Sequence, residues 1–277
     1  MTQIGGVTRA LLDCVIMIEL NSIQKSFDGG RSFAVADTSF TVSKGELLGL
    51  IGESGSGKTT TLKMINRLEE PSGGTIIVNG ENILDQNPES LRRNIGYVFQ
   101  GIGLFPHHSV AENVAAVPQL LNWSKDGIVR RCKETLELVG LPYAEFADRM
   151  PDELSGGQQQ RVGVARALAA NPEVVLMDEP FGALDPINRA VLQEEFKRIQ
   201  MQLNLTVIMV THDMTEALLM ADRIAVMKDG KILQIDTPAQ LLQNPQHEYV
   251  KDLVETPKRR ADSLERLMRS ANAQTIK

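Results

Sequence analysis

The amino-acid sequence predicts an α/β protein in which an open, largely parallel sheet carries an inserted α-helical subdomain. Short apolar runs alternate with longer amphipathic stretches along most of the chain, as the strands and helices of a parallel sheet do. Between about residues 101 and 158 this alternation stops and the sequence becomes helical in character. We therefore expect a sheet domain over residues 17–254, interrupted by a helical subdomain over about residues 101–158.

The first elements are predicted from apolar runs and the turns between them. The folded part is expected to begin at Met17, and residues 1–16 are expected to be a disordered extension, because their broken apolar patch lacks the features of a secretion signal. The continuous apolar run Leu47–Ile51 predicts a buried parallel strand, and residues 59–68 predict a helix after it. A β-rich stretch with Gly-Gly and Asn-Gly turns continues to residue 99.

The later elements restore the alternation of strands and helices. Apolar runs at residues 174–177, 206–210 and 224–227 predict three more buried strands. The inserted segment has a helical apolar stripe made of Ile128, Cys132, Leu136 and Val139. Between the first two of the later strands, one helical face is predicted to consist of Ile187, Val191, Phe196, Ile199 and Leu203.

The last part of the chain, residues 255–277, mixes basic residues with a weak apolar stripe. The stripe consists of Leu264, Leu267 and Met268. This tail fits a regulatory or dimer-stabilising helix, and it fits a solvated amphipathic terminus at least as well.

Composition excludes several classes of function. The chain carries a formal net charge of -6, and only 4% of its 277 residues are aromatic. Acidic charge opposes binding to phosphate backbones and few rings are available to stack on bases, so no nucleic-acid partner is expected. Cys14 and Cys132 form no metal or redox spacing, which is typical of a reducing cytoplasm. No apolar run approaches the roughly 18 residues of a membrane-spanning helix.

A phosphate-binding loop is predicted directly after the strand Leu47–Ile51. The residues that match the pattern G-x-x-x-x-G-K-[ST] are Gly52, Glu53, Ser54, Gly55, Ser56, Gly57, Lys58 and Thr59, followed by Thr60. Glycines let backbone N–H groups approach a β-phosphate, and the next helix presents its positive N-terminal end. Lys58 is expected to reach the β- and γ-phosphates, and the Thr59 hydroxyl to coordinate Mg²⁺. Alone, this motif predicts only a nucleoside triphosphate.

Two adjacent carboxylates follow another predicted strand. Asp178 and Glu179 come directly after the run 174–177, at the strand end where open α/β sheets bind ligands. Asp178 is expected to hold Mg²⁺ through water. Strand pleating is expected to point Glu179 the other way, where it polarises the attacking water and contributes about 10² to 10⁴ in rate as a general base. Helicases, kinases and recombinases carry the same pair, so these residues leave the family open.

The pentapeptide Leu154-Ser155-Gly156-Gly157-Gln158 resembles the signature of the ATP-binding cassette (ABC) family. It lies at a predicted helix start, where N–H groups and the helix dipole favour an anion. Taken alone, the segment is equally an ordinary N-cap. The order of the motifs along the chain favours the family, and the resemblance implies that Ser155, Gly156, Gly157 and Gln158 bind ATP.

Other residues match the same family position by position. Gln100 occupies the position that contacts Mg²⁺ and the attacking water, and Asp185 lies in a segment that resembles the D-loop. His212 resembles the switch histidine that contacts the γ-phosphate. Phe27 matches the aromatic residue that stacks on adenine, although tyrosine is more usual there and Phe33 is a weaker candidate.

The resemblance implies a fold, an activity and an assembly. It covers residues 17–254 and implies a P-loop NTPase fold, with a RecA-like core, an antiparallel β subdomain and the inserted helices. In this family ATP and Mg²⁺ bind one cassette, and the signature segment of a second copy closes over the ATP. The expected assembly is therefore an ATP-sandwich homodimer in which binding, closure and hydrolysis form one cycle.

A stand-alone cassette with one P-loop most resembles the energy-coupling ATPase subunit of a bacterial ABC importer. The resemblance implies a peripheral protein on the cytoplasmic face of the bacterial inner membrane, bound to an integral membrane permease and indirectly to a substrate-binding protein. Residues 100–110 are expected to form part of a groove for a permease helix, with Leu104 and Phe105 as apolar contacts. Alternatively, these two residues only close the core of the helical subdomain.

Three stretches carry a finer resemblance to importers of quaternary amines such as glycine betaine, choline and carnitine. They are residues 59–68, 102–107 and 177–186. We therefore expect osmoprotectant import, although methionine and polyamine importers share much of the motif set. A nucleotide-binding regulator without turnover is the alternative from another class. Many members of the group add a paired CBS module, and no such module is expected here because the chain ends at Lys277.

Overall fold

The computed structural model describes residues 15–101 and 103–275, without the side chains of residues 260, 261, 264, 265 and 267–275. Nearly all of the predicted extension 1–16, residue 102 of one resemblance stretch and the side chains of the proposed tail stripe lie outside the described residues. The strands are β1 (Ile16–Lys25), β2 (Val35–Ser43), β3 (Leu47–Ile51), β4 (Gly73–Val78), β5 (Glu81–Asn82), β6 (Ile95–Val98), β7 (Val174–Asp178), β8 (Thr206–Thr211), β9 (Arg223–Lys228) and β10 (Lys231–Asp236). The helices are α1 (Lys58–Ile65), α2 (Pro88–Asn94), α3 (Val110–Leu120), α4 (Lys125–Leu138), α5 (Tyr143–Phe146), α6 (Gly156–Leu168), α7 (Pro186–Leu203), α8 (Met214–Met220), α9 (Pro238–Gln243) and α10 (Glu248–Thr275).

Two sheets form the framework of the protein. The larger sheet has the strand order β10-β9-β3-β8-β7-β6, and its neighbouring strands are parallel except for the pair β10 and β9. The smaller sheet is antiparallel, with the order β2-β1-β4-β5. The predicted α/β class, with an open and largely parallel sheet, is confirmed.

The central strands are continuous apolar runs because both of their faces are buried. Leu47 and Ile51 of β3 belong to a core shared with helices α3, α4, α6, α7 and α8. Leu48 and Leu50 point to the opposite face and join a core shared with α1 and the antiparallel sheet. The two cores therefore clamp β3 from both sides and fix the start of the loop that follows it.

The segment between β6 and β7 is helical, with α3, α4, α5 and α6 in succession. In and just after α4, Cys132, Leu136 and Val139 are buried and Ile128 packs against the same core, so the predicted stripe is confirmed. Helix α6 runs through residue 158 and ends only at Leu168, next to the sheet. The boundaries of a separate helical subdomain stay a prediction.

The apolar face predicted for α7 is wrong in part. Phe196 and Ile199 are buried, but Ile187 is 78% exposed and Val191 is 45% exposed. The buried stripe instead includes Leu192, one position after Val191, because the spacing of four between Leu192 and Phe196 continues the helix face that meets the core. The first turn of α7 is thus left with apolar side chains in solvent.

The longest helix is α10, which continues through position 255, where the tail was predicted to begin. Its exposed charged residues include Lys251 and Asp252. Among the residues that the structure describes, no helix has both the length and the apolar character needed to cross a bilayer.

Candidate nucleotide-binding site

The register of the parallel strands brings the predicted motifs to one edge of the sheet. Ile51 at the end of β3 lies opposite Thr211 at the end of β8, and Asp178 at the end of β7 lies opposite Val210. The segments that follow these strands meet around a cleft of about 420 Å³. The cleft is lined by Ala34, Ser54, Gly55, Gly57, Lys58, Thr59, Thr60, Gln100, Glu179 and His212.

The phosphate-binding loop needs glycine where it presses against neighbouring backbone. Gly57 has φ 98° at the N-cap of α1, and a Cβ atom there would overlap the carbonyl oxygen of Ala34. At Gly52 a Cβ atom would overlap the carbonyl oxygen of Met227 in β9. Only glycine fits such close approaches, so one end of the loop is fixed against β9 and the other against the segment before β2.

The Lys58 ammonium is buried at the base of this loop. Its Nζ donates hydrogen bonds to the carbonyl oxygens of Gly52 at 2.8 Å and Glu53 at 2.7 Å. Burial lowers the pKa of Lys58, while the carboxylates of Glu179 and Asp178 oppose that shift. A desolvated ammonium held by neutral carbonyls gains from an anionic partner, since an opposite charge nearby favours its charged form. A phosphate oxygen is such a partner.

Asp178 and Thr59 form the part of the site that fits a magnesium ion. The Thr59 hydroxyl donates to Asp178 Oδ1 at 2.9 Å, and Asp178 is only 4% exposed. Burial raises the pKa of Asp178, and the Thr59 hydrogen bond acts against this. Proteins hold Mg²⁺ with one or two carboxylates completed by phosphate oxygens and water, so a hydroxyl and a carboxylate beside a phosphate loop fit that ion.

Glu179 is the centre of a polar cluster on the other side of the cleft. Gln100 Nε2 donates to Glu179 Oε2 at 3.0 Å, and His212 Nδ1 lies 3.3 Å from the same oxygen. Strand pleating does not set the direction of the Glu179 side chain, contrary to the prediction from the sequence. Strand β7 ends at Asp178, and Glu179 has a left-handed backbone with φ 46°. Its own N–H donates to Val210 O at 2.9 Å, which fixes this turn against β8.

The remaining predicted ATP-binding residues do not line this cleft. Ser155 caps α6, where its hydroxyl accepts from Gln158 N at 3.3 Å and the Gln158 side chain accepts from Ser155 N at 2.9 Å. Asp185 caps α7 in a similar way. Phe27 is 64% exposed, with Lys25 Nζ 4.7 Å from the centre of its ring. Within one chain these side chains therefore belong to separate, mostly exposed positions.

An apolar groove of about 540 Å³ begins at Gln100 and extends away from the cleft. Phe99 and Phe105 line it and are 43% and 48% exposed. Leu104, in contrast, packs against the core that the helical segment shares with the larger sheet. Of the two residues predicted to contact a permease, Phe105 therefore faces the groove and Leu104 closes the core.

Two residues at the site were not identified from the sequence. Ala34 lines the cleft although it belongs to no motif, because the chain before β2 passes in front of the phosphate-binding loop. The Tyr249 hydroxyl accepts a hydrogen bond from Glu53 N at 3.0 Å across 196 positions. A contact between such distant residues has no local sequence signal.

Comparison with known proteins gives this geometry a family context. Residues 35–182 match the family model described as ABC transporter. The chain is 53% identical over 238 residues to the glycine betaine/carnitine/choline transport ATP-binding protein OpuCA of Bacillus subtilis, with 86% of this chain and 62% of that protein covered. It is 50% identical over 235 residues to the glycine betaine uptake system ATP-binding protein YehX of Escherichia coli, with 85% and 75% covered.

Solved structures show the same architecture. The dimeric structure of MJ0796, described as a bacterial ABC transporter cassette, matches with a TM-score of 0.71 and 34% identity over 80% of this chain and 99% of that chain. A second dimeric structure of MJ0796, in a post-hydrolysis state bound to ADP and Pi, matches with a TM-score of 0.71 and 33% identity over the same shares of both chains. The chain spans only 62% of the length of OpuCA and 59% of the carnitine transport ATP-binding protein of Listeria monocytogenes.

Proposed function

Because this chain belongs to the ABC transporter family, we propose that it is the ATP-hydrolysing, energy-coupling subunit of a bacterial importer of quaternary-amine osmoprotectants. The observation that carries the ATPase activity is the meeting of Lys58, Glu179 and His212 in one cleft. The transported class rests on the relatives, whose names give glycine betaine, carnitine and choline transport. Methionine or polyamine import is the alternative within the same family.

Binding of ATP is assigned to the phosphate-binding loop and the start of α1. Lys58 exchanges its carbonyl partners for the β- and γ-phosphates, and Thr60 and the backbone of residues 52–57 surround them. Phe27 is assigned to adenine stacking, which its high exposure permits. The nucleotide then lies between the loop and the cluster around Glu179.

Hydrolysis is assigned to Glu179 as the general base for the attacking water. Its Oε2 is already oriented by Gln100 and by His212, so the base is held at one edge of the phosphate site. The His212 side chain is exposed and can also contact the γ-phosphate. Thr59, Asp178 and Gln100 would hold Mg²⁺, Gln100 through the amide oxygen that its bond to Glu179 leaves available. Bound Mg²⁺ would neutralise charge on the phosphates.

A second copy of the chain is proposed to complete the site. Ser155, Gly156, Gly157 and Gln158 stand at the exposed start of α6 and outside the cleft of their own chain. Their N–H groups and the helix dipole suit the phosphates of an ATP held by the partner copy. Asp185, at the start of α7, is assigned to the same interface.

The apolar groove is proposed to receive a short helix of the membrane permease. The groove and the catalytic cluster share Gln100, so contact at Phe99 and Phe105 can bias the position of that side chain. The proposed location is accordingly the cytoplasmic face of the bacterial inner membrane, with a substrate-binding protein on the other side. Uptake of labelled glycine betaine, compared with methionine, by the reconstituted transporter tests the transported class.

The ATPase activity is tested by phosphate release from purified protein with Mg²⁺ and ATP. Glu179→Gln should lower the rate about 10² to 10⁴-fold because the general base is lost, while the affinity for ATP persists. Lys58→Ala should weaken nucleotide binding itself, as measured by calorimetry. Glu173→Gln is the matched control. Glu173 is an exposed carboxylate that directly precedes β7, whereas Glu179 directly follows this strand. A wild-type protein that binds ATP without releasing phosphate would instead be a regulator.

A further inference from the structure

A hydrogen bond joins the last helix to the phosphate-binding loop. Tyr249, in the first turn of α10, accepts it through its hydroxyl from the backbone N–H of Glu53 at 3.0 Å. We propose that Tyr249 is a positioning residue that holds the phosphate-binding loop in its ATP-binding conformation and so makes α10 part of the nucleotide site. This inference rests on the proposed function and assigns a residue outside all of its motifs.

The peptide of Glu53 is a junction inside the loop. Its carbonyl oxygen accepts from Lys58 Nζ at 2.7 Å and from Ser56 N at 3.2 Å, while its N–H is held by Tyr249. Both ends of this residue are therefore fixed by hydrogen bonds. A shift of Glu53 would move the loop backbone that surrounds the phosphates, together with the carbonyl that holds Lys58 before ATP binds.

Tyr249 is itself held firmly enough to serve as an anchor. Lys228 Nζ lies 4.7 Å from the centre of its ring, and the adjacent Val250 is fully buried in the core. Just before α10, Gln246 N donates to Gln234 Oε1 at 2.8 Å, which ties the chain to β10. The anchor thus has support from two strands and the core.

The Tyr249 hydroxyl accepts this bond through an oxygen lone pair, which the protonated phenol already provides. Burial raises the pKa of Tyr249, and the carboxylates of Glu53 and Asp229 act in the same direction, although the Glu53 hydrogen bond opposes them. The loop is braced from a second side, where Gly230 N donates to Ser56 O at 3.2 Å. Tyr249 and the turn between β9 and β10 therefore hold the loop by hydrogen bonds at two positions, Glu53 and Ser56.

The contact should affect binding and leave chemistry intact. A loop that is already ordered does not lose further conformational freedom when it takes up phosphate, so preorganisation raises affinity. Glu179, Gln100 and His212 follow other strands and do not contact Tyr249. Loss of the hydroxyl should consequently raise KM for ATP and leave kcat nearly unchanged.

The test is Tyr249→Phe, which removes one oxygen and keeps the ring against Lys228. We expect the Kd for ATP, measured by calorimetry, and the KM for phosphate release to rise about two- to tenfold, the range of a typical net hydrogen bond. Tyr143→Phe is the matched control, because Tyr143 lies in α5 and does not line the cleft. Thermal midpoints of both variants establish that they are folded.

Three outcomes overturn the inference. Wild-type values of Kd and KM in Tyr249→Phe would exclude a positioning role. Loss of ATP binding in Lys58→Ala, measured in the same series, would show that the proposed nucleotide site itself still stands. A fall in kcat and thermal midpoint with unchanged KM would assign Tyr249 to stability alone. A wild-type chain that binds no ATP would overturn the proposed function and this inference together.

Discussion

At the scale of single residues, buried polar side chains tie the segment that carries His212 to helix α7. Glu216 is only 6% exposed; Gln193 Nε2 donates to its Oε1 at 2.9 Å, and the hydroxyl of Thr211 bonds its other oxygen. Arg189 Nη1 lies 3.7 Å from Asp213 Oδ2 and adds a second link. Because Thr211 directly precedes His212, this pairing fixes the end of β8 from behind the cleft.

Glu216→Gln should make the protein more stable relative to wild type as pH rises from 4 to 7. Burial raises the pKa of Glu216 above the ordinary glutamate value of 4.5, despite the bonds from Thr211 and Gln193. The folded state then holds this proton to higher pH than the unfolded chain, so the contribution of Glu216 to the free energy of unfolding falls as pH rises above about 4.5. Glutamine carries no titrating proton and escapes that loss. Urea unfolding of both proteins at pH 4 and 7 measures the difference.

A matched control for this pH dependence has the opposite sign. The hydrogen bond from Arg259 lowers the pKa of the partly exposed Glu255, so its contribution to stability exists above the unfolded pKa and is lost as pH falls. Glu255→Gln should therefore lose a little stability at pH 7 relative to pH 4. A Glu216→Gln difference that stays constant across this range would contradict the burial argument.

At the scale of elements, the sequence predicts the strands that are buried on both faces and the segments that carry a fixed motif. Strand β3 and the strand before Asp178 were recognised because their runs are apolar at every position, and the motifs at their ends then fall on one sheet edge. The apolar face of α7 was misjudged because Ile187 lies in an exposed first turn. The left-handed turn at Glu179 and the bond between Tyr249 and Glu53 depend on tertiary neighbours, which no local pattern contains.

Two serine capping boxes in the helical segment allow a structural cap to be distinguished from a functional one. Ser109 caps α3 with Glu112, and Ser155 caps α6 with Gln158. Replacing either serine with alanine should lower the free energy of unfolding by about 0.5–2 kcal/mol. Only Ser155→Ala should also reduce phosphate release, since Ser155 is assigned to the ATP of the partner copy. Urea unfolding and ATPase assays of both variants, side by side, test this; equal activities would remove the functional assignment.

At the scale of the whole molecule, α6 connects the proposed dimer face with the apolar groove. Ser155 caps the start of this helix, and Arg166 lies near its end. Arg166 Nη1 donates to Gly103 O at 2.8 Å, and its guanidinium carbon lies 5.8 Å from the Phe99 ring and 5.6 Å from the Phe105 ring. A rigid helix therefore spans from the segment that would meet a second copy to the segment that would meet the permease. Dimer closure at one end of α6 and permease contact at the other can therefore move the same helix.

The assembly itself is the strictest test of the proposed mechanism. Glu179→Gln with saturating ATP should shift from one chain to two in light scattering, because in the proposed assembly each bound ATP would join the phosphate-binding loop of one copy to the Ser155 segment of the other. Adding Lys58→Ala to this variant should abolish the shift through loss of ATP binding. Adding Ser155→Arg should abolish it with ATP still bound, since Ser155 stands outside the cleft that holds the ATP of its own chain. Ser155→Arg that leaves the dimer intact would mean that ATP is not closed over by α6, and the composite site would have to be abandoned.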